Sequence, residues 1–152
     1  DYNGGCVLPM AIDREAAAAI SVREDRIVRV HTANFGETAE FDLDARKPLE
    51  KGFWLNYIEG VARILERNGF LLRGADVLIW SDVPAGGGLS SSAALEVVAG
   101  LALSEASGQN VDKKTLALVG QQTEHEFVGA KVGIMDQFVS AHAQKGHALL
   151  LD

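Results

Sequence analysis

The chain is short of the residues that would staple it, stiffen it or charge it positively. A single cysteine, Cys6, cannot form an intramolecular disulfide, and between Gly5 and Val7 it reads as a small buried apolar residue. Three prolines leave no Pro-rich linker. Lysine and arginine total 14 against 21 aspartates and glutamates, a formal charge of −7. That balance argues against nucleic acid as a partner, because phosphate backbones require clustered Lys and Arg. Long apolar runs are missing too. The longest candidate, residues 16–22, is far too short to cross a bilayer, and with no signal-like segment a cytoplasmic location without a membrane partner is expected. His31 has no companion at metal-ligand spacing, so it reads as a half-exposed polar residue at a strand end.

Glycine is what the chain does have, 16 in all, and three fall together. Gly86, Gly87 and Gly88 follow Val83-Pro84-Ala85 and run into Leu89-Ser90-Ser91-Ser92-Ala93-Ala94. Residues without Cβ let a backbone close around a bulky anion and tolerate the positive φ angles that aim successive N–H groups at one point. If the serines open a helix, its first turn adds unpaired N–H groups, hydroxyl donors and the positive end of the macrodipole. The stretch therefore reads as a phosphate cradle. Its bland alternative is a glycine turn before a serine-capped helix, and three glycines alone do not separate the two. Neither G-x-x-x-x-G-K-[ST] nor G-x-G-x-x-G is present, because no lysine follows and Ser91 stands where the third glycine belongs. The G-x-S-x-G nucleophile elbow is absent as well. An acidic protein that binds an acidic nucleotide needs local positive potential, which helix N-termini and a divalent metal supply.

With 152 residues, 47% hydrophobic and 23% charged, the sequence has the length and composition of one globular domain. Residues 7–12, 16–22, 26–31 and 38–43 are short runs rich in apolar or β-branched side chains. They are expected to form antiparallel strands, with a Glu24-Asp25 turn joining the second and third as a hairpin. Residues 52–68 place Trp54, Tyr57, Ile58, Val61 and Leu65 at helical spacing and end at Gly69, which predicts a core-facing helix. Trp54 is there either core or a surface for a nucleotide base, and the stripe favours core. Residues 74–83 read as a strand buried on both faces through Val77, Leu78, Ile79 and Trp80. A helix over 90–107 is expected to bury Ala94, Val98, Leu101 and Ala102. Another, capped by Asp112, should run to Val128 with Leu116, Val119, Thr123 and Phe127 inward and Glu124 off that line. Asp136, among Ile134, Met135, Phe138 and Val139, is either a helix N-cap or a catalytic carboxylate, and the local sequence favours the cap. Residues 147–151 look like an unfinished strand.

From Pro84 to Ala93 the chain fills the pattern P-x-G-x-G-L-S-S-S-A and resembles the ATP loop of the galactokinase, homoserine kinase, mevalonate kinase and phosphomevalonate kinase superfamily, the GHMP kinases. Asp1-Tyr2-Asn3-Gly4-Gly5 with Val7-Leu8-Pro9 is similar to the tail of the galactokinase sugar-binding signature. Gly52-Phe53-Trp54 with Asn56-Tyr57 resembles the W-x-N-Y helix of the same family. Thr123-Glu124-His125-Glu126-Phe127 through Gly133-Ile134-Met135-Asp136-Gln137-Phe138 resembles its T-E-H-x-F and G-x-M-D-Q segments. Together these stretches span nearly the whole chain and narrow a superfamily to the galactokinases.

The resemblance implies an α+β fold of the GHMP kinase N-terminal type, a mixed and mostly antiparallel sheet with packed helices. It makes residues 1–152 a single partial domain, truncated at both ends, without its C-terminal domain and inactive alone; the complete protein would be a monomer. It further implies ATP-dependent phosphorylation of the C1 hydroxyl of galactose. Gly86, Gly87, Gly88, Leu89, Ser90, Ser91 and Ser92 would wrap the ATP phosphates. Ser92 and Glu124 would ligate Mg2+, whose preference is for hard oxygen ligands. Asp136 would act as general base at the anomeric hydroxyl, and Asp1, Gly133 and Asp136 would bind the sugar. The family's signature arginine and Glu-His pair would precede Asp1. An N-acetylgalactosamine kinase and a non-catalytic galactose- and ATP-binding sensor are the alternatives, the second weakened by the intact serine run. A serine hydrolase built on Ser91, His125 and Asp136 has no nucleophile elbow to support it.

Overall fold

The structure, a computed structural model, describes residues 5–45 and 51–152. Three strands come first, β1 (Ala16–Val22), β2 (Ile27–Thr32) and β3 (Glu37–Asp42). They are followed by α1 (Leu55–Arg67), β4 (Ala75–Ser81), α2 (Ser91–Ala106), α3 (Lys113–Thr123) and α4 (Met135–His142). The end of α3 widens into a π-helical turn, Glu124–Val128. The sheet is mixed, in the order β1-β4-β2-β3, with β4 antiparallel to β1 and parallel to β2, and β2 antiparallel to β3. This is the α+β architecture that the sequence led one to expect.

Alternation along β2 and β4 turns Val28, Val30, Val77 and Ile79 to one face. There they join Ile58, Val61, Ile64 and Leu65 of α1, Ala99 and Leu103 of α2 and Val119 of α3 in one core. Each large side chain so buried stabilises the fold by about 1.5–3 kcal/mol. Leu78 and Trp80, on the other face of β4, are 44% and 42% exposed, so the expectation of a strand buried on both faces is wrong.

Nor do β1 and β2 form the expected hairpin, for β4 lies between them. Asp25 accepts the Ile27 N–H at 3.1 Å and the Arg23 guanidinium at 2.8 and 2.7 Å, while Arg23 also reaches Asp76 of β4 at 3.0 Å. Gly74 passes so close under this corner that a Cβ on it would stand 2.2 Å from the Asp25 carbonyl oxygen. Inserting β4 satisfies its backbone groups along both edges and buries Val77 and Ile79, a gain no local hairpin offers.

Residues 7–12 and 147–151 are not strands of this sheet. Val7 and Leu151 exchange backbone hydrogen bonds of 2.9 and 3.0 Å, and the Leu149 N–H donates to the Pro9 carbonyl at 2.8 Å. Helix α2 is also rotated from expectation, with Ala93, Glu96, Ala99, Gly100 and Leu103 inward and Leu101 47% exposed. An almost wholly apolar helix offers no stripe to choose by. Close approach chooses instead, because a Cβ at Gly100 would meet Leu116 Cδ2 at 2.9 Å and Val61 Cγ1 at 3.2 Å.

Candidate active site

The glycine loop leaves the sheet at the end of β4, and its take-off is pinned on three sides. The Asn34 side chain brackets Ser81 as a strand neighbour would, donating to its carbonyl at 2.7 Å and accepting its N–H at 2.8 Å. The Asp82 carboxylate accepts the Glu15 N–H at 2.7 Å, which holds it below the usual carboxylate range, with the Arg14 guanidinium assisting at 3.3 Å. The Ser81 hydroxyl accepts the Val83 N–H at 3.1 Å. From there the backbone takes positive φ at Gly86 (71°), Gly88 (70°) and Ser90 (60°). Serine pays about 1 kcal/mol or more for that conformation, a strain that collects at ligand sites. The helical ladder of α2 begins with the Ala94 N–H donating to the Ser90 carbonyl at 3.1 Å, so the N–H groups of Ser91, Ser92 and Ala93 point out of the N-terminus. Ser90 makes no side-chain cap, which overturns the serine-capped alternative.

The loop is the wall between two cavities. One, of about 700 Å³, is lined by Pro84, Ala85, Gly86, Ser91 and Ser92 and closed by Trp54, Tyr57, Asn34 and Phe35. Trp54 thus packs against the core and also faces this space. The other, of about 690 Å³, is lined by Gly88, Leu89 and Ser90 on one side, by Asp136 and Ser140 on a second, and by residues 8–12 and 14–16 on a third. Ala94, Val98 and Leu101, expected in the core, line this second cavity. Gly87 lets the wall turn tightly, a Cβ there standing 3.2 Å from Pro84 Cβ.

Asp136 is the second residue of α4, half-buried; Ile134 occupies the cap position, and no side-chain cap is made. The N-cap reading of Asp136 is therefore wrong. Gly133 lies in the segment entering α4, and Asp1 falls outside the described residues. Glu124 opens the π turn and is only 4% exposed, against the expectation of a residue off the buried line. Its carbonyl accepts the Gly129 and Ala130 N–H groups at 2.8 and 2.9 Å. Among the described residues no cation pairs with its carboxylate, and no group of three or more His, Cys, Asp or Glu is placed to hold a metal ion. His125 binds the Val132 carbonyl at 2.9 Å, and Ser91 and Asp136 line different cavities, so the hydrolase constellation is not assembled.

Glu96, which the sequence reading passed over, belongs to this region together with Gln137 and Tyr57, to which it assigned no role of their own. Glu96, one turn along α2 from Ser92, is 1% exposed and accepts the Gln137 side-chain N–H at 3.1 Å. Burial pushes its carboxyl up from 4.5 to about 9, with Glu124 adding to the rise and Gln137 opposing it. Tyr57 is raised as well, by burial first and then by Glu124 and Glu96, so polar groups of α1, α2 and the π turn share one neighbourhood. The signal available was a lone charge, Glu96, in the apolar run from Ala93 to Leu103.

Because the folded chain keeps the Glu96 proton that the unfolded chain loses above pH 4.5, the contribution of Glu96 to stability falls as pH climbs from 4.5 towards 9. In thermal unfolding followed from pH 5 to 9.5, Glu96→Gln is expected to remove this part of the alkaline decline. Its Tm should exceed wild type by about 5 °C or more near pH 9. A difference independent of pH would show that Glu96 ionises normally.

A strand, a glycine loop with positive φ at Gly86 and Gly88, and a helix N-terminus stand together between two cavities in an α+β domain. Residues 56–144 match the family described as GHMP kinases N terminal domain, and the chain belongs to that family. Residues 1–22 match the galactokinase galactose-binding signature. Over all 152 residues the chain is 51% identical to a galactokinase of Chloroflexus aurantiacus and 45% identical to one of Roseiflexus sp., and it spans 39% of the length of each. The crystal structure of Lactococcus lactis galactokinase complexed with galactose covers the whole chain at a TM-score of 0.93 and 36% identity, over 40% of its own length. Methanococcus jannaschii mevalonate kinase, at 19% identity, shares the fold with a TM-score of 0.77 over 91% of this chain and 45% of its own. No helix of the described residues is long and apolar enough to cross a membrane.

Proposed function

We propose that this chain is the ATP-binding part of a cytoplasmic galactokinase, which transfers the γ-phosphoryl group of ATP to the C1 hydroxyl of galactose. The observation that carries the reading is the glycine loop between two cavities, with Ser91 and Ser92 facing one and Asp136 facing the other. A nucleotide entering beside Trp54 and Tyr57 would lay its phosphates on the N–H groups of Gly86 to Ser92. A sugar in the second cavity would then meet them from the opposite side. The match of residues 1–22 to a galactose-binding signature supports galactose as acceptor, with Asp1, Gly133 and Asp136 holding its hydroxyls.

In this reading Asp136 accepts the C1 hydroxyl proton as the new O–P bond forms, and the bond to the leaving ADP oxygen breaks in line. Loop and helix dipole neutralise the phosphate charge and fix its position, which is most of what phosphoryl transfer requires. The residues present fit Mg2+: Ser92 offers a hydroxyl, and Glu124 is a buried carboxylate near a second carboxyl, Glu96, with no cationic partner among the described residues. Ser92 and Glu124 would hold Mg2+, which when bound would supply positive charge against the negative charge of the ATP phosphates.

The test is phosphorus NMR on the full-length protein with ATP, Mg2+ and galactose. Galactose 1-phosphate formed with one ADP per sugar supports the reading. Faster turnover of N-acetylgalactosamine would reassign the acceptor, and sugar binding without ADP release would make the protein a sensor.

A further inference from the structure

Where helices α2, α3 and α4 pack against one another, a buried side-chain hydrogen bond joins α2 to α4. Gln137, the neighbour of Asp136, donates its amide N–H to Glu96 Oε2 at 3.1 Å. Both side chains are 1% exposed, and the remaining oxygens, Glu96 Oε1 and Gln137 Oε1, have no partner. Gly120 of α3 makes the room. A Cβ on it would stand 2.9 Å from Gln137 Cγ and 3.1 Å from Glu96 Oε2.

We infer that Glu96 and Gln137, seated on Gly120, are positioning residues that hold Asp136 of α4 in register with Ser92 of α2. Helical spacing carries the argument. Glu96 follows Ser92 by four residues, so both lie on one face of α2, and Gln137 adjoins Asp136 in the first turn of α4. Apolar contacts tolerate sliding, whereas a buried hydrogen bond is made in one geometry only, and its loss strands further polar atoms in a dry interior. Helix α4 has eight residues and no side-chain cap, so its placement depends on such tertiary contacts. The functional half of the inference rests on the galactokinase reading, in which Ser92 and Asp136 serve one transfer.

Kinetics with galactose and ATP and amide hydrogen exchange, both on the full-length protein, test it. Gln137→Glu sets two carboxyls against each other and is expected to lower kcat about tenfold to a hundredfold, the scale of a 1 Å misplacement. KM for ATP should stay within about twofold, and exchange at residues 136–139 should quicken. The reversed pair, Glu96→Gln with Gln137→Glu, is expected to restore kcat to within about threefold and exchange to the wild-type rate. Failure of the reversed pair to recover what the single variant lost overturns the inference, as does a single variant that lowers only Tm. Should Gln137→Glu not fold, Gly120→Ala pushes a methyl into the same contact; a lowered kcat at constant KM supports the pair, and an unchanged kcat overturns it. If the wild-type protein phosphorylates no sugar, the galactokinase reading fails, and exchange lost and regained across the two variants still decides the pairing.

Discussion

Replacing Asp136 by Asn in the full-length protein is expected to lower kcat about a hundredfold or more while sugar binding survives. The amide keeps the shape of the carboxylate and removes its capacity to take a proton. Stability should change little, because Asp136 is the second residue of α4 and not its cap, and no side-chain cap bond is there to lose. A cap would behave in the opposite way, costing about 1 kcal/mol of stability and leaving turnover alone. Galactose titration by calorimetry, single-turnover kinetics and thermal unfolding separate the two. Near-normal phosphorylation by Asp136→Asn would remove the residue from the chemistry.

Glu124→Gln and Ser92→Ala should each raise the Mg2+ concentration needed for half-maximal rate by at least about tenfold, since even outer partners of a bound metal carry that much. Their effects on the empty fold should differ in kind. Glu124 is a buried carboxylate with no cationic partner among the described residues, so an amide there removes an uncompensated buried charge, and Tm without metal should hold or rise. Ser92 stands in the first turn of α2, and its loss should leave the far-ultraviolet circular dichroism unchanged. Mg2+ dependence equal to wild type in both variants would show that the metal is held elsewhere.

The parts of this protein that the sequence made legible are those set by neighbours along the chain. The glycine loop is one: Gly86 and Gly88 adopt the positive φ that their lack of Cβ permits, and the serines after them open α2. The Asp112 cap is another, with its carboxylate accepting the Thr115 N–H at 2.9 Å and the Thr115 hydroxyl at 2.8 Å. The amphipathic stripe of α1 and the three early strands follow the same rule, because periodicity of 3.6 or 2 is written in side chains a few residues apart.

Tertiary structure alone decided what depends on partners far along the chain. Strand order is the clearest case. Glu24-Asp25 looks like a hairpin turn locally, yet β4, about fifty residues on, enters between β1 and β2 because its two edges and one face are all satisfied there. The inward face of α2 could not be read from a helix apolar nearly all round, and it was fixed by the clearance of Gly100 against Leu116 and Val61. Glu124 follows buried Ala117 by seven residues and buried Gly120 by four, so the face that α3 turns inward carries it inside, a face fixed by packing against the other helices. Sequence placed Glu96 in one helix and Gln137 in another; only packing on Gly120 made them a pair, since burial and a 3.1 Å hydrogen bond are properties of three helices together.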